Sequence, residues 1–427
     1  MSHLQKHCDG KLCRKRRFAG LCAFALISLP SYIAVASDTI QIAYIAGLSG
    51  PLSLVAQERL KNFLAAADRV NASGRLPGGS RLEVVPFDSK STPQEGVVVL
   101  KQAMDQNIRF VVASLSSVSH AVVDSLVKQN VRDPERAALF LNLSLDPTLT
   151  ESKCMFWHFR FDAHSGMYLD VLTNYMARQE NVHHVYLINP DFATGQLFQQ
   201  QSREMLARKR PDVQIVGDDL FPLAKIKDFA PYAAKIKASG ADSVLTANFG
   251  NDLALLIKAA REQGLKVNFY TQHAWLPGTP VTIGENGADH VKAVSSWHIN
   301  ASDKVWEESL LNAKAKYGAI SYLDYLSIYR LMDMLAQAIA NVGRDPLKVA
   351  YALEGMKYSG PSGDSWMRAE DHQLIAPIYV MKFAKNGQPG IKHDEERTGF
   401  GWKTEALIEA KDTVPQVNCR MERPAQQ

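Results

Sequence analysis

The chain has 427 residues, of which 46% are hydrophobic and 22% are charged, and this composition excludes an intrinsically disordered protein, a collagen and a coiled coil. The formal net charge of +4 is unevenly distributed, because residues 1–36 hold six of the 48 basic residues and one of the 44 acidic residues. The rest of the chain is therefore nearly neutral and lacks the basic excess that nucleic-acid binding requires. At about 150 residues per domain, the length predicts two domains.

Residues 1–36 have the pattern of a secretory signal peptide. Basic residues at positions 14–17 precede an apolar run over residues 18–29, and Ala34 and Ala36 frame a cleavage site before Ser37. The alternative is a membrane anchor, but a helix of that length spans only about 18 Å, short of the apolar bilayer core of about 30 Å. We therefore expect an exported protein whose signal peptide is removed.

Three of the five cysteines, Cys8, Cys13 and Cys22, lie in this signal segment, which leaves Cys154 and Cys419. Two cysteines in an exported chain can form a disulfide bond. The alternative is two free thiols, since a spacing of 264 intervening residues says nothing about contact. The chain has no Cys-x-x-Cys pair and no cluster of metal-ligating residues, so we expect neither a metal site nor a cofactor.

Short apolar runs rich in β-branched residues alternate with amphipathic segments. An apolar stripe runs from Leu60 to Val70 before Gly74, Thr92-Pro93 is a typical helix start, and residues 252–261 carry an apolar face. Alternation of strand and helix at intervals of about 30 residues predicts an α/β fold of mainly parallel sheets with helices on both faces. The predicted strands are residues 40–46, 82–87, 109–115, 137–143, 184–189, 213–220, 243–248 and 267–271.

The alternation falls into two groups of four strands, separated by residues 156–161. This segment breaks the period and predicts a crossover between two lobes. After Trp297 the pattern becomes more helical, and the chain ends in a Pro/Gly-rich tail that contains Trp402. The predicted elements of this part are helices over residues 304–317, 322–342 and 346–355 and a strand over residues 378–383.

The chain lacks the short motifs of common catalytic sites, such as G-x-S-x-G, H-E-x-x-H and the Gly-rich phosphate loops. His183 and His184 are adjacent in a predicted strand and point to opposite faces, which favours a structural role over metal binding. The sequence shows no nucleophile that would complete a triad with Asp371 and His372. This pair therefore predicts a hydrogen-bonded turn. We therefore expect a protein that is not an enzyme, and the alternative of an exported hydrolase is disfavoured.

Four loops at the carboxyl ends of predicted strands are rich in small polar or aromatic residues, and ligands of open α/β sheets bind at such ends. Ser116 and Ser117 lead into a helix, whose free amides and the serine hydroxyls would hold a carboxylate. The alternative is a serine that only caps the helix. For the other three loops the alternative is an ordinary strand-to-helix turn. Their candidate residues are Ser144, Asp191 with Phe192, and Asn248 with Phe249.

Five segments spread along the chain have the order and spacing of one protein family. They resemble the periplasmic solute-binding proteins of branched-chain amino acid (Leu/Ile/Val-binding) type, the receptors of ABC uptake systems. The resemblance covers nearly the whole chain after residue 36. The segments are residues 42–51 (IAYIAGLSGP), residues 63–74 (FLAAADRVNASG), Phe87-Asp88-Ser89 with Thr92-Pro93, Leu115-Ser116-Ser117, and Asp191-Phe192-Ala193-Thr194-Gly195.

The resemblance implies a two-lobed type I periplasmic binding protein fold with three crossover segments. Lobe 1 is expected to comprise residues 38–158 and 297–372, and lobe 2 residues 159–296 and 373–427. It also implies a small-molecule ligand bound between the lobes, a periplasmic location, a monomer, and an ABC permease of the inner membrane as the partner. The alternative is a ligand-sensing module of the same fold, coupled to a membrane kinase or regulator.

The resemblance also implies roles for single residues. Ser117 matches a residue that contacts the ligand carboxylate, and Phe192 matches an aromatic lining position. His273 stands about where amino-acid binders place an acid for the ligand ammonium, and a histidine supplies no negative charge for a buried cation. Leu54 and Val55 replace a family tyrosine. We therefore expect a small carboxylate or amide-like solute, aromatic acids included, rather than a standard amino acid.

Two acidic residues could replace the missing negative charge. Asp191 and Asp252 both follow predicted strands of the second lobe, but neither is at the position that matches the family. Ser144-Leu145 stands where the family favours a small residue and a threonine before Asp146-Pro147. The predicted pocket is therefore more apolar than that of a leucine receptor.

Overall fold

A computed structural model describes residues 39–50, 53–301, 303–318 and 324–425. The predicted signal peptide and its three cysteines lie outside the described residues. The described strands are β1 (Thr39–Ala46), β2 (Arg81–Asp88), β3 (Phe110–Ala113), β4 (Leu139–Asn142), β5 (His158–Arg160), β6 (His184–Pro190), β7 (Gln214–Phe221), β8 (Ser243–Phe249), β9 (Asn268–His273), β10 (Val291–Ser295), β11 (Lys357–Gly360), β12 (Gly363–Met367), β13 (Leu374–Ile375), β14 (Ile378–Lys385) and β15 (Phe400–Ile408).

The α-helices lie between these strands. They are α1 (Ser53–Ala72), α2 (Pro93–Asp105), α3 (Ser116–Arg132), α4 (Ser165–Ala177), α5 (Ala193–Lys209), α6 (Ala230–Ala238), α7 (Gly250–Glu262), α8 (Thr279–Gly287), α9 (Lys304–Tyr317), α10 (Tyr325–Val342) and α11 (Pro346–Leu353). None of the helices within the described residues is both long enough and apolar enough to cross a membrane.

The strands form two large sheets and one small one. The first sheet has the order β2-β1-β3-β4-β5 and is parallel throughout. The second has the order β15-β14-β10-β9-β8-β6-β7, in which β14 pairs antiparallel with both β10 and β15 and the other pairs are parallel. Strands β11, β12 and β13 form the small antiparallel sheet. The predicted α/β fold of two mainly parallel sheets with helices on both faces is confirmed.

Local sequence accounts for several element boundaries. The Thr92 hydroxyl accepts a hydrogen bond from the Glu95 amide at 3.3 Å, so α2 begins at the predicted cap with Pro93 in its first turn. Helix α1 buries Phe63 and Val70 of the predicted stripe, and the backbone turns at Gly74 with a φ of 64°, which glycine adopts at little cost. Capping and hydrophobic periodicity thus determine these helices locally.

Two expectations are wrong in part. Residues 156–161 are not only a crossover, because His158–Arg160 form β5 and pair in parallel with β4, so the first sheet has five strands. Trp402 does not lie in a loose tail. It is buried in β15, an edge strand of the second sheet, where its ring packs 5.1 Å from that of Phe383. Three residues are too few to show a period, and pairing with β4 creates the strand.

The histidines for which a structural role was expected are held by framework contacts. The backbone amides of His183 and His184 both donate to the Asp242 carboxylate, at 2.9 and 2.8 Å. His372 is buried and stacks on Phe159 with the ring centroids 3.7 Å apart. These contacts join neighbouring strands and the last crossover.

The chain passes between the cores of the two large sheets three times. It leaves the first sheet after β5 to form α4, returns after β10 to form α9, α10 and α11, and leaves again between β13 and β14. The last passage is abrupt, since Leu374 packs in the hydrophobic core of the first sheet and Ile375 in that of the second. The predicted residue limits of the two lobes stay a prediction.

Cys154 and Cys419 form a disulfide bond, with their Cα atoms 5.6 Å apart. The bond joins the segment before β5 to the C-terminal segment after β15, across 265 positions of sequence. It therefore closes a loop that contains the whole second sheet.

Candidate functional site

Each large sheet has one place where neighbouring strands connect in opposite directions. In the first sheet this place is between β1 and β3, and in the second it is between β6 and β8. Helices that start from such a pair of strands diverge to opposite faces and leave a crevice at the carboxyl ends, where ligands of α/β sheets bind. All predicted binding residues lie at the carboxyl ends of β3, β4, β6, β8 and β9.

Ser116 and Ser117 occupy the first two positions of α3, directly after β3. The N-cap is Leu115, which makes no side-chain cap bond, so neither serine acts as the cap. Ser116 is half-buried and Ser117 is exposed. The first amides of α3 are thus uncapped at the positive end of its dipole, and two hydroxyls lie beside them. Such an end can hold a carboxylate.

Ser144 follows β4 and is held from two sides. Its amide donates to Asn142 Oδ1 at 2.7 Å, and its carbonyl oxygen, with that of Asp146, accepts hydrogen bonds from the buried guanidinium of Arg160. The Ser144 hydroxyl is buried and has no hydrogen-bond partner among the described residues. A buried hydroxyl without a partner is costly, so a ligand or water that bonds to it is favoured.

Asp191 and Phe192 connect β6 to α5. The Asp191 amide donates to the Phe221 carbonyl at 2.7 Å, and its exposed carboxylate accepts from Gln196 at 2.7 Å. Phe192 is the half-buried N-cap of α5 and makes no side-chain cap bond. A Cβ on Gly195 would lie 2.0 Å from the Pro190 carbonyl oxygen. Glycine at this position therefore allows the first turn of α5 to pack closely on the end of β6.

The carboxyl ends of β8 and β9 carry the remaining candidates of the second sheet, Asn248, Phe249 and His273. Asn248 Oδ1 accepts from the Phe249 amide at 2.8 Å, while its buried Nδ2 has no partner among the described residues. His273 Nδ1 is likewise buried without a partner in this part of the chain. Its ring lies edge-on to that of Phe249, with the centroids 5.9 Å apart. These side chains offer neutral polar groups beside an aromatic ring.

His273 carries no charge at neutral pH. Burial lowers its pKa to about 4, and the positive charge of Arg59 acts in the same direction. Arg59 belongs to α1, beside the first sheet, so a charge of the first sheet's helices is felt by a side chain of the second sheet. The carboxylate of Asp252, the other acidic candidate of this sheet, accepts a hydrogen bond from the Ala224 amide at 2.7 Å, and a role for it in ligand binding stays a prediction.

Sequence reasoning missed a charged group at the first sheet's edge. Arg59 forms an ion pair with Asp324, the residue before α10, and its Nη1 donates to Ser114 Oγ at 3.3 Å. Ser114 directly follows β3. The sequence offered one signal for Arg59, its position: α1 starts close to the carboxyl end of β1, so the first turns of α1 must lie near the carboxyl edge of the first sheet. No such signal points to its partner Asp324, which is 265 positions away.

A buried polar cluster lies at the crossovers. Asp162 Oδ1 accepts from the Tyr168 hydroxyl at 2.9 Å, and Ser296 and Ser327 share a hydrogen bond of 3.0 Å. Burial raises the pKa of Asp162, and the nearby Asp324 carboxylate raises it further. This cluster joins the first crossover, the second crossover and α10 by hydrogen bonds and charge.

The predicted residues thus lie on two sets of loops, one at the carboxyl ends of each large sheet, and whether they bind a ligand stays a prediction. No group of three or more His, Cys, Asp or Glu side chains suited to a metal ion occurs among the described residues. The first sheet contributes helix amides, hydroxyls and Arg59. The second sheet contributes aromatic rings and neutral polar groups.

Comparison with known proteins agrees with this architecture. The family profile described as "Periplasmic binding protein" matches residues 39–388. The "Leu/Ile/Val-binding protein homolog 4" of Brucella abortus (strain 2308) is 29% identical over 416 residues, which cover 94% of this chain and 97% of that protein.

Two solved structures have a similar fold. The first is the Brucella ovis leucine-, isoleucine-, valine-, threonine-, and alanine-binding protein in its closed conformation, with a TM-score of 0.83, 26% identity, and coverage of 91% of this chain and 100% of that one. The second is a Rhodopseudomonas palustris BisB5 solute-binding protein of an ABC transporter in complex with 3,4-dihydroxybenzoic acid, with a TM-score of 0.73, 15% identity, and coverage of 88% and 98%. The second likeness shows the fold alone. With a profile match over most of its length, the chain belongs to the periplasmic binding protein family.

Proposed function

We propose that the protein is the periplasmic receptor of an ABC importer and that it captures a small organic carboxylate between its two lobes. Residues 1–36 act as a cleaved signal peptide, and the bound receptor delivers its ligand to an inner-membrane permease. The receptor works as a monomer and binds its ligand without changing it chemically. Family membership supports the receptor role, and the chemistry of the two loop sets supports the ligand class.

One observation carries the ligand class. Ser144, Asn248 and His273 each place a buried polar atom without a partner at the carboxyl end of a strand, on both sheets. The apolar N-caps of α3, α5 and α7 leave the first amides of these helices without side-chain caps. Amides and hydroxyls at helix starts suit an anionic oxygen, and the aromatic residues beside them suit an apolar or aromatic body.

A second candidate ligand is a branched-chain amino acid. It is favoured by the names of the relatives from Brucella abortus and Brucella ovis, which describe branched-chain amino acid binding. An amino acid also brings an ammonium group, for which His273 offers no charge. The carboxylate without an ammonium group is therefore our first candidate.

Calorimetric titration and thermal shift of the periplasmic protein test the proposal. The ligand panel contains benzoate, 4-hydroxybenzoate, benzamide, urea, leucine and valine. A true ligand at 100 times its Kd adds about 2.7 kcal/mol to the free energy of unfolding. We expect the aromatic carboxylates to give this shift. Tight binding of leucine or valine would replace the first candidate by the second, and no response to any compound would contradict both.

The receptor role has its own test. Deletion of this gene should abolish uptake of the bound solute by cells, and the exported protein should begin at Ser37 in its mass spectrum. Unchanged uptake together with a lost transcriptional response to the same solute would instead favour the ligand-sensing module.

A further inference from the structure

We propose that Arg59 is the residue that binds the carboxylate of the ligand, and that Asp324 positions it. This inference rests on the proposed function and adds the specific anchor. It predicts a ligand whose defining group is one carboxylate, because the second loop set supplies no matching charge.

Arg59 lies at the carboxyl edge of the first sheet. Helix α1 follows β1, and Arg59 lies in its second turn. Its Nη1 reaches Ser114 Oγ, 3.3 Å away at the end of β3. Ser114 is two residues before Ser116, the first residue of α3. The guanidinium thus lies where β1 and β3 diverge, beside the uncapped amides of α3.

The hydrogen bonds of Arg59 occupy only part of its guanidinium. Nε is paired with the Asp324 carboxylate and Nη1 with Ser114. Nη2 has no hydrogen-bond partner among the described residues, and 16% of the Arg59 side-chain surface is accessible, against 4% for Asp324. A guanidinium held on one edge by a buried carboxylate is pre-organised, and its remaining N–H groups match a carboxylate in geometry.

The charges around Arg59 keep its guanidinium protonated. Burial opposes the charge of Arg59, whereas the carboxylates of Asp324 and Asp162 favour it. Asp324 offsets the cost of burying the guanidinium while no ligand is bound. The charge of Arg59 is also felt by His273 of the second sheet. The charge of an anion bound at Nη2 would therefore also act on His273.

The pair Arg59–Asp324 differs from the ion pair between Arg69 and Asp333 on the same helix. Arg69 bonds to Asp333 at 2.9 Å, and its guanidinium stacks over Trp306 at 4.3 Å. That pair lies near the carboxyl end of α1, away from the edge where β1 and β3 diverge. Arg69 therefore offers a matched control on the same helix.

The test is a calorimetric titration of wild type, Arg59→Met, Arg59→Lys and Arg69→Met with benzoate, 4-hydroxybenzoate, leucine and benzamide. For the carboxylate that wild type binds, Arg59→Met should weaken binding about 10- to 100-fold, as for loss of a hydrogen bond to a charged group. Arg59→Lys should fall in between, and Arg69→Met should bind like wild type. Benzamide should bind less tightly than benzoate to wild type but equally to Arg59→Met.

A double variant protects the test against misfolding. Arg59→Met leaves Asp324 buried and unpaired, so Arg59→Met/Asp324→Asn is measured beside it and should show the same loss of carboxylate binding. Carboxylate binding by either folded variant within threefold of wild type would overturn the inference and leave the proposed function standing. Failure of wild type to bind any carboxylate in the panel would overturn both.

Discussion

The two loop sets, one at the carboxyl ends of each large sheet, are built differently. The first sheet's set holds the ion pair of Arg59 and Asp324. The buried guanidinium of Arg160 stabilises this set by donating a hydrogen bond to the Ser144 carbonyl oxygen. The second sheet's set offers Phe192, Phe249 and a neutral His273. Our proposal assigns a division of work to this difference, in which charge on the first sheet's side binds the ligand's carboxylate. Shape and aromatic contact on the second side then select the rest of the ligand.

Removing the Arg160 guanidinium should have the largest effect on stability. Arg160→Met leaves the buried carbonyl group of Ser144 and the partly buried one of Asp146 without their donor, and each unsatisfied group costs free energy. We expect the free energy of unfolding to fall by about 2–5 kcal/mol. Urea denaturation measures this loss, and titration should show weaker binding of the ligand identified by the panel.

The control for this change is Arg178→Met, an exposed arginine at the end of α4. It should change the free energy of unfolding by no more than about 0.5 kcal/mol. Equal stability of the two variants would show that Arg160 does not brace the first loop set, and the contrast between the sets would lose its structural basis.

A smaller change acts on the second set alone. Gly195→Ala places a methyl group against the Pro190 carbonyl oxygen, a backbone atom that cannot move without shifting the loop. Overpacking of this kind costs about 1–3 kcal/mol. Because Phe192 lies in the same loop, ligands that differ in their apolar part should lose affinity unequally, as measured by titration with benzoate and 4-hydroxybenzoate.

Gly240→Ala is the matched control for this variant. Gly240 has a φ of 70° and open space around its missing Cβ, and it lies after α6, outside both loop sets. Its substitution should lower stability through backbone strain and leave ligand affinity unchanged. If both variants bind every ligand like wild type, the second set does not select the apolar part.

The smallest expected effect is the pH dependence from His273. Its pKa is lowered to about 4 in the folded protein, whereas the unfolded chain takes up the proton near pH 6.5. The neutral folded form is therefore fully stabilised above pH 6.5 and loses relative stability as the pH falls toward 4. Between pH 7 and pH 5, wild type should lose on the order of 1–2 kcal/mol more than His273→Asn.

Urea denaturation of both proteins at these two pH values measures the difference. Parallel losses would mean that His273 titrates normally and is not a buried neutral group. The second set would then carry a charge below neutral pH, and the contrast between the two sets would depend on pH.

Elements with a strong local signal were predicted well. Helix α9 was predicted over residues 304–317 and has these limits, and the first predicted strand differs from β1 by one residue. Caps and hydrophobic periodicity act within a few positions, so they can be read from the chain. The short strand β5 was missed because three residues show no period, and β10, β11, β12, β13 and β15 were not predicted either.

The sequence by itself determined the fold class, the alternation of helices with strands β1 to β4 and β6 to β9, and the loops that end at the sheet edges, because each depends on neighbours along the chain. Only the tertiary structure decided which distant residues meet. Arg59 pairs with Asp324, and Cys154 bonds to Cys419, each across 265 positions. Such contacts follow from how the three crossovers return the chain to the same place, and no local preference encodes that return.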